Sequence, residues 1–174
     1  NSCTISCANR CYNKTSNRAP AAQSRRFLLE GEDSLILLVC LDDCNGMQFH
    51  GRRQSQDRLV RQDMLTQAVG RRLWMDAATA RQFTEPDASI CIAEDAAQQA
   101  APGEYYFAES PNRLPPLANI EQLIVYRWNR HYPSDTSFPI TLEAPAWQRC
   151  EMSEFRGYSH EKITKEVYIH ENNR

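Results

Sequence analysis

"LILLVCLDDCNGMQFHGRRQSQDRL", residues Leu35 to Leu59, carries the reading of the fold. Leu35–Leu41 is apolar throughout. A run of that length is too short for a typical helix and suits a strand buried on both faces. The next five residues are turn-rich, and Asn45-Gly46 is a strong turn signal. From Ser55 the spacing predicts a helix. Ser55 is placed to cap it, Leu59, Met64, Leu65 and Ala68 fall on one face, and Gly70 is the natural stop. Many nucleotide enzymes open with a buried strand, a polar loop and a helix, and they bind ligands beyond the strand's carboxyl end.

Downstream, the pattern predicts strands at Arg72–Met75, Ser89–Ala93, Glu104–Ala108 and Ile120–Trp128. A short helix is expected from Asp76 to Phe83, with Asp76 as its cap. Ser110–Pro116 and "HYPSDTSFP" read as loops. Gln148–Phe155 and Lys162–Ile169 read as a closing pair, and "KITKEVYI" alternates polar and apolar like an antiparallel edge strand. Strands alternate with helices early, then strands follow strands. That order predicts an α/β sandwich with a mostly parallel sheet and an antiparallel C-terminal end.

The bulk properties narrow the function. A length of 174 residues suggests one domain. With 24% charged residues and a net charge of -2, the chain does not resemble a nucleic-acid binder held by bulk charge. No run approaches the roughly 20 apolar residues that cross a bilayer, and the N-terminal region has no apolar stretch of secretory type. The expectation is a soluble, cytoplasmic protein. Residues 1–33 are polar, with five basic and three acidic residues, against 15 and 19 in the remainder. Two readings stand for them: a disordered tail, or upstream nucleotide sequence translated in frame, with the native start near Leu35. The domain is placed at residues 34–170, with a short tail at 171–174.

Seven cysteines, an odd number, do not make a disulfide framework. Cys40 and Cys91 sit in apolar runs and read as small hydrophobes. Cys3, Cys7 and Cys11 would share a helix face, but they match no common zinc spacing, and no metal is expected.

The order of these elements and several of their words resemble dihydrofolate reductase, from Leu35 to about Ile169. "LILLVCLDDCNGM" is similar to that family's first strand and the loop over its active site. "RRLWM" stands in the place of its second strand. "SDTSFP", Ser134–Pro139, resembles its Gly-Asp-Thr-x-Phe-Pro turn, with serine for glycine. Trp147 and "SHEKITKEVY" follow at the expected distance. The resemblance implies a dihydrofolate-reductase-like three-layer sandwich. It also implies a carboxylate at the start of the first helix that binds a pterin and helps deliver a proton. Asp57 holds that place, although an aspartate there also simply favours the helix's positive end.

The same resemblance points to losses. Arg52-Arg53-Gln54-Ser55 replaces the family's Pro-Trp-x-x-Pro, and Tyr126 replaces a threonine of the substrate pocket. Asp76-Ala77-Ala78-Thr79 stands where the family has Gly-Arg-x-Thr for NADPH phosphates, and only Thr79 is retained. Ala108-Glu109-Ser110 replaces the paired glycines that let the backbone approach the pyrophosphate. The expected ligand surface is a cleft beside Asp42, Asp43, Asn45, Gly46 and Asp57, with Tyr126 crowding or filling the pocket.

Other constellations carry less. His50, His131, His160 and His170 lie in polar surroundings, read as surface residues, and form no zinc-hydrolase cluster. This leaves an RNA-processing hydrolase without a motif. "YRWNRHY", Tyr126–Tyr132, interleaves aromatics with arginines as single-strand binders do, but alternate side chains of a strand there would enter the core. No Ser-His-Asp arrangement is readable from spacing. The sequence therefore points to a diverged dihydrofolate-reductase-like protein that binds a small, pterin-like molecule as a binding or regulatory module. No cofactor, membrane or nucleic-acid partner is expected. The competing reading is an NAD(P)H-dependent reductase of dihydrofolate reductase type acting on a pterin-like substrate, with NADPH as its cofactor.

Overall fold

A computed structural model describes residues 34–84 and 87–171. The three N-terminal cysteines and the proposed 1–33 extension lie outside the described residues, as do residues 172–174. The apolar run is strand β1, Leu35–Leu41. It pairs in parallel with two later strands, β6 (Tyr105–Phe107) and β7 (Ile120–Arg127). Strand β4 (Leu73–Met75) pairs with β6, and β5 (Ile90–Ile92) with β4, all parallel. On the other side, β10 (Ile163–His170) runs antiparallel to β7, and β9 (Trp147–Phe155) antiparallel to β10. The seven-stranded order is β5-β4-β6-β1-β7-β10-β9. The mostly parallel sheet with an antiparallel end is the architecture expected from the sequence.

The period-two rule explains why β1 must be apolar throughout. Leu35, Leu37, Val39 and Leu41 join Tyr106, Leu123, Val125 and Trp147 on one face. Ile36 and Leu38 join Val60, Met64, Leu73, Phe107 and Ile124 on the other. Helix α1, Arg58–Gln67, covers the second face through Val60 and Met64. The four-residue helix α2, Ala77–Ala80, adds Ala80 to it. The first face is covered by α3, Ala96–Gln99, through Ala96 and Ala97, and by Leu114, Phe138 and Ile140 from the connecting segments.

Four details depart from the sequence reading. The cap of α1 is Asp57, not Ser55: its side chain accepts the Leu59 amide. Strand β10 is not an edge; β9 shields it. Its polar residues are tolerated inside because they are paired. The Lys165 ammonium meets Asp63 at 3.1 Å, and Glu166 accepts from both Arg127 and Arg149. The loop words conceal a small second sheet, β3-β2-β8, made of Arg52–Arg53, Gly46–Phe49 and Thr136–Ser137. The short helix α3 carried no legible signal.

Leu38 is fully buried, whereas Leu117 is 48% exposed. Leu38→Ala is expected to lower unfolding free energy by about 2–5 kcal/mol. Leu117→Ala should change it by no more than about 0.5 kcal/mol. Urea denaturation of the two variants checks this.

Candidate functional site

The carboxyl ends of β1, β4 and β6 point the same way, so the segments after them meet. Together with the β2–β3 hairpin and the turn before β10 they enclose a cleft of about 740 Å³. Its walls include Gln48, Arg52, Arg53, Ser55, Thr79, Glu109 and Ser159. The parallel topology creates such a crevice whatever side chains line it.

Glu109 projects from the end of β6 into this cleft, its side chain only 12% exposed. The Arg53 guanidinium lies 3.1 Å from one carboxylate oxygen, and the Gln82 amide donates to the other at 3.0 Å. Arg53 also donates to the Ala78 carbonyl at 2.8 Å. The pair is a strut from the hairpin to α2 and β6. Burial raises the Glu109 carboxyl, and Arg53, Gln82 and Thr79 partly offset that rise. The Glu109 carboxylate is therefore partnered. Asp76 caps α2 and accepts the Thr79 amide at 2.7 Å. Thr79 itself is buried at the cleft wall.

The acidic loop after β1 is tied down by its own hydrogen bonds. Asp42 is fully buried. Its carboxylate accepts the amides of Cys44, Gly46 and Tyr132 and the side-chain amide of Gln54. Burial would raise its carboxyl, but these bonds outweigh burial and hold it below the usual range. Gly46 is required by crowding: a Cβ there would meet Gln54 Nε2 at 2.5 Å and Ser134 Oγ at 2.7 Å. Asn45 adopts φ 60° and accepts from Arg127 at 2.5 Å. Asp43 is exposed. None of Asp42, Asp43, Asn45 and Gly46 lines the cleft. Tyr126 lies in the core, and its hydroxyl donates to Asp63 at 2.6 Å.

Asp57 sits beside the cleft but is sealed. Its side chain is fully buried. One oxygen accepts the amides of Leu59 and Tyr158; the other accepts the Ser159 amide at 2.8 Å and meets His160 Nδ1 at 3.1 Å. Burial raises the carboxyl, and the amides of Tyr158 and Ser159, then His160 and Leu59, overcome that and hold it far below the usual range. Gly157 allows this approach, since a Cβ there would come within 2.6 Å of Asp57 Oδ2.

His160 is the residue that sequence reasoning misplaced. Expected on the surface, it is buried and stacked on Trp128 with ring centroids 4.7 Å apart. Its Nε2 lies 3.2 Å from Ser55 Oγ and 3.1 Å from the Tyr132 hydroxyl. The 103 residues separating it from Asp57 left no local signal. Burial of Tyr126 and Trp128 also removes the aromatic surface that "YRWNRHY" suggested.

No helix among the described residues is long and apolar enough to cross a membrane. Among those residues, no group of three or more His, Cys, Asp or Glu side chains is arranged to hold a metal ion. No protein-family model matches the sequence, and no curated protein matches it. Among solved structures, the chain is similar to a dihydrofolate reductase from Enterococcus faecalis complexed with NADP(H) and RAB-propyl. The TM-score is 0.58 at 12% identity, covering 80% of this chain and 98% of that one. The chain has a dihydrofolate-reductase-like fold.

Asp57 offers a test through pH. Its folded carboxyl titrates below the ordinary value of about 3.9. The stabilisation is therefore complete above that value and is lost as pH falls toward the folded one. Asp57→Asn is expected to cost about 2–3 kcal/mol at neutral pH. It should also flatten the loss of stability below about pH 4, as read by denaturation at stepped pH.

Proposed function

We propose that this chain is a small-molecule-binding module on the dihydrofolate reductase fold, and that it does not work as an NADPH-dependent folate reductase. The observation that carries the reading is the Arg53–Glu109 strut within the cleft. A dinucleotide held at the carboxyl end of such a sheet needs close backbone approach and free N–H or cationic donors for its phosphates. Here a buried carboxylate stands at the end of β6, and Arg53 is already committed to it. At α2 the Asp76 carboxylate has taken the Thr79 amide. Neither place offers the phosphates of NADPH a backbone amide that they can approach.

What the cleft offers instead is polar and partly cationic. Arg52 and Arg81 line it, both exposed, and no ion pair among the described residues engages either. The ligand proposed is a compact, anionic, pterin-like molecule contacting Thr79 and the two arginines. Asp42 fixes where β2 begins by accepting the Gly46 amide, Asn45 holds Arg127, and Asp43 stands exposed beside them. Tyr126 fills space behind the wall, and Asp57 anchors the floor.

Thermal unfolding of the full chain with NADPH and with dihydrofolate tests the reading. Ligand at one hundred times its dissociation constant would add about 2.7 kcal/mol. Dihydrofolate, which carries carboxylates, is expected to raise the midpoint, and Arg52→Ala with Arg81→Ala should abolish the rise. NADPH is expected to leave it unchanged. A clear rise with NADPH would put the reductase reading first.

A further inference from the structure

The buried Asp57–His160 pair ends at a hydroxyl on the cleft wall. Asp57 Oδ2 lies 3.1 Å from His160 Nδ1, and His160 Nε2 lies 3.2 Å from Ser55 Oγ. A carboxylate can only accept, so Nδ1 carries the proton and Nε2 presents its lone pair toward Ser55. The imidazole cannot turn away, because Trp128 stacks on its face. Ser55 and Ser159 line the cleft, but only Ser55 meets Nε2. The chain order is Ser, Asp, His. Such a set is recognised by geometry rather than by order or fold.

We propose that Ser55 is a nucleophile activated by His160 and oriented through Asp57, and that the cleft hydrolyses small esters bearing an anionic group. Ser55 Oγ attacks the ester carbonyl carbon, and its proton passes to His160 Nε2. The alcohol leaves as the acyl–oxygen bond breaks and takes that proton from Nε2. Water, the co-reactant, then attacks the acyl-serine; its proton goes to Nε2 and is returned to Ser55 as the carboxylic acid departs. The carboxylate of Asp57 stabilises the imidazolium formed in each half. Arg52 and Gln56 line the same cleft, are exposed, and offer donors for the transient oxyanion. Arg52 and Arg81 select an anionic substrate.

The Tyr132 hydroxyl shares Nε2 at 3.1 Å and competes with Ser55 for the lone pair. Tyr132 is thus a positioning residue that moderates the base. This activity rests on the reading that the cleft takes a small anionic ligand, but it needs more than binding. The structural alternative is that Asp57 and His160 only pin the turn before β10 to α1.

The full chain would be treated with a fluorophosphonate and digested for mass spectrometry. Turnover of a carboxylate-bearing and a neutral p-nitrophenyl ester would be followed in parallel. The expected result is one adduct, on Ser55, with faster turnover of the anionic ester. Ser55→Ala should abolish both. His160→Gln, with its fold checked by circular dichroism, should slow labelling by about a hundredfold, the scale of a positioned general base. Tyr132→Phe should quicken it severalfold. If His160→Gln does not fold, Ser55→Cys decides. A thiol beside a positioned imidazole is alkylated at mildly acidic pH about tenfold faster than a model peptide thiol, because the pair favours thiolate. No adduct on Ser55, labelling unchanged in folded His160→Gln, or an unreactive thiol in Ser55→Cys would overturn the proposal. A midpoint raised by dihydrofolate without any Ser55 adduct would overturn the hydrolase and leave the ligand cleft standing. An adduct on Ser55 without that rise would support the hydrolase and remove the pterin-like ligand.

Discussion

The Asp57 carboxylate is the constraint on which the cleft depends. It caps α1 through the Leu59 amide and simultaneously accepts from Tyr158, Ser159 and His160, about one hundred residues later in the chain. One buried charge thus ties the first helix to the turn that feeds the last strand. Burying an ionised carboxylate is unfavourable unless its lone pairs are occupied, and here each oxygen has at least two donors. Saturation has a chemical consequence. The carboxyl is held below its usual range and shut from the cleft, and it fixes an imidazole.

A second pairing shapes the cleft itself. Parallel strands deliver their carboxyl ends to one crevice, and the side chains there are free to vary because they are not part of the core. Glu109 at the end of β6 would repel phosphate if it stood alone. Arg53 answers its charge and spans the cleft in doing so. The carboxylate and its partner together fill the cleft end of β6, sterically as well as electrostatically.

The fold was legible because it rests on local pattern. The apolar run Leu35–Leu41 requires burial on both faces, and the spacing of the later strands requires a mostly parallel sheet with an antiparallel end. Asp57 was found as a residue at the helix start, and Asp76 as the cap of the second helix, since capping is local chemistry. What failed was long-range. The strand of Lys165 and Glu166 read as an edge because nothing nearby in sequence announced Asp63, Arg127 and Arg149 as their partners. His160 read as a surface residue because its companions are Ser55, Asp57, Trp128 and Tyr132, brought together only by the fold. The loop aspartates read as ligand groups because Asx turns and binding loops share a composition; Asp42 gives one oxygen to the backbone of its own loop and the other to the Tyr132 amide and Gln54.

The place of Ser55 follows from the same geometry. A cap must stand at the helix N-terminus, so Asp57 is fixed, and the residues just before it necessarily leave the helix toward the cleft. The turn before β10 must pass close by to satisfy Asp57, and Gly157 lets it do so without a side chain in the way. His160 is then held between Trp128 and Asp57, and its remaining nitrogen faces Ser55 in the segment entering the helix, beside the Tyr132 hydroxyl. In the proposed hydrolase this carboxylate acts at a distance of one imidazole. The structural work of the carboxylate and its chemical reach are the same set of contacts.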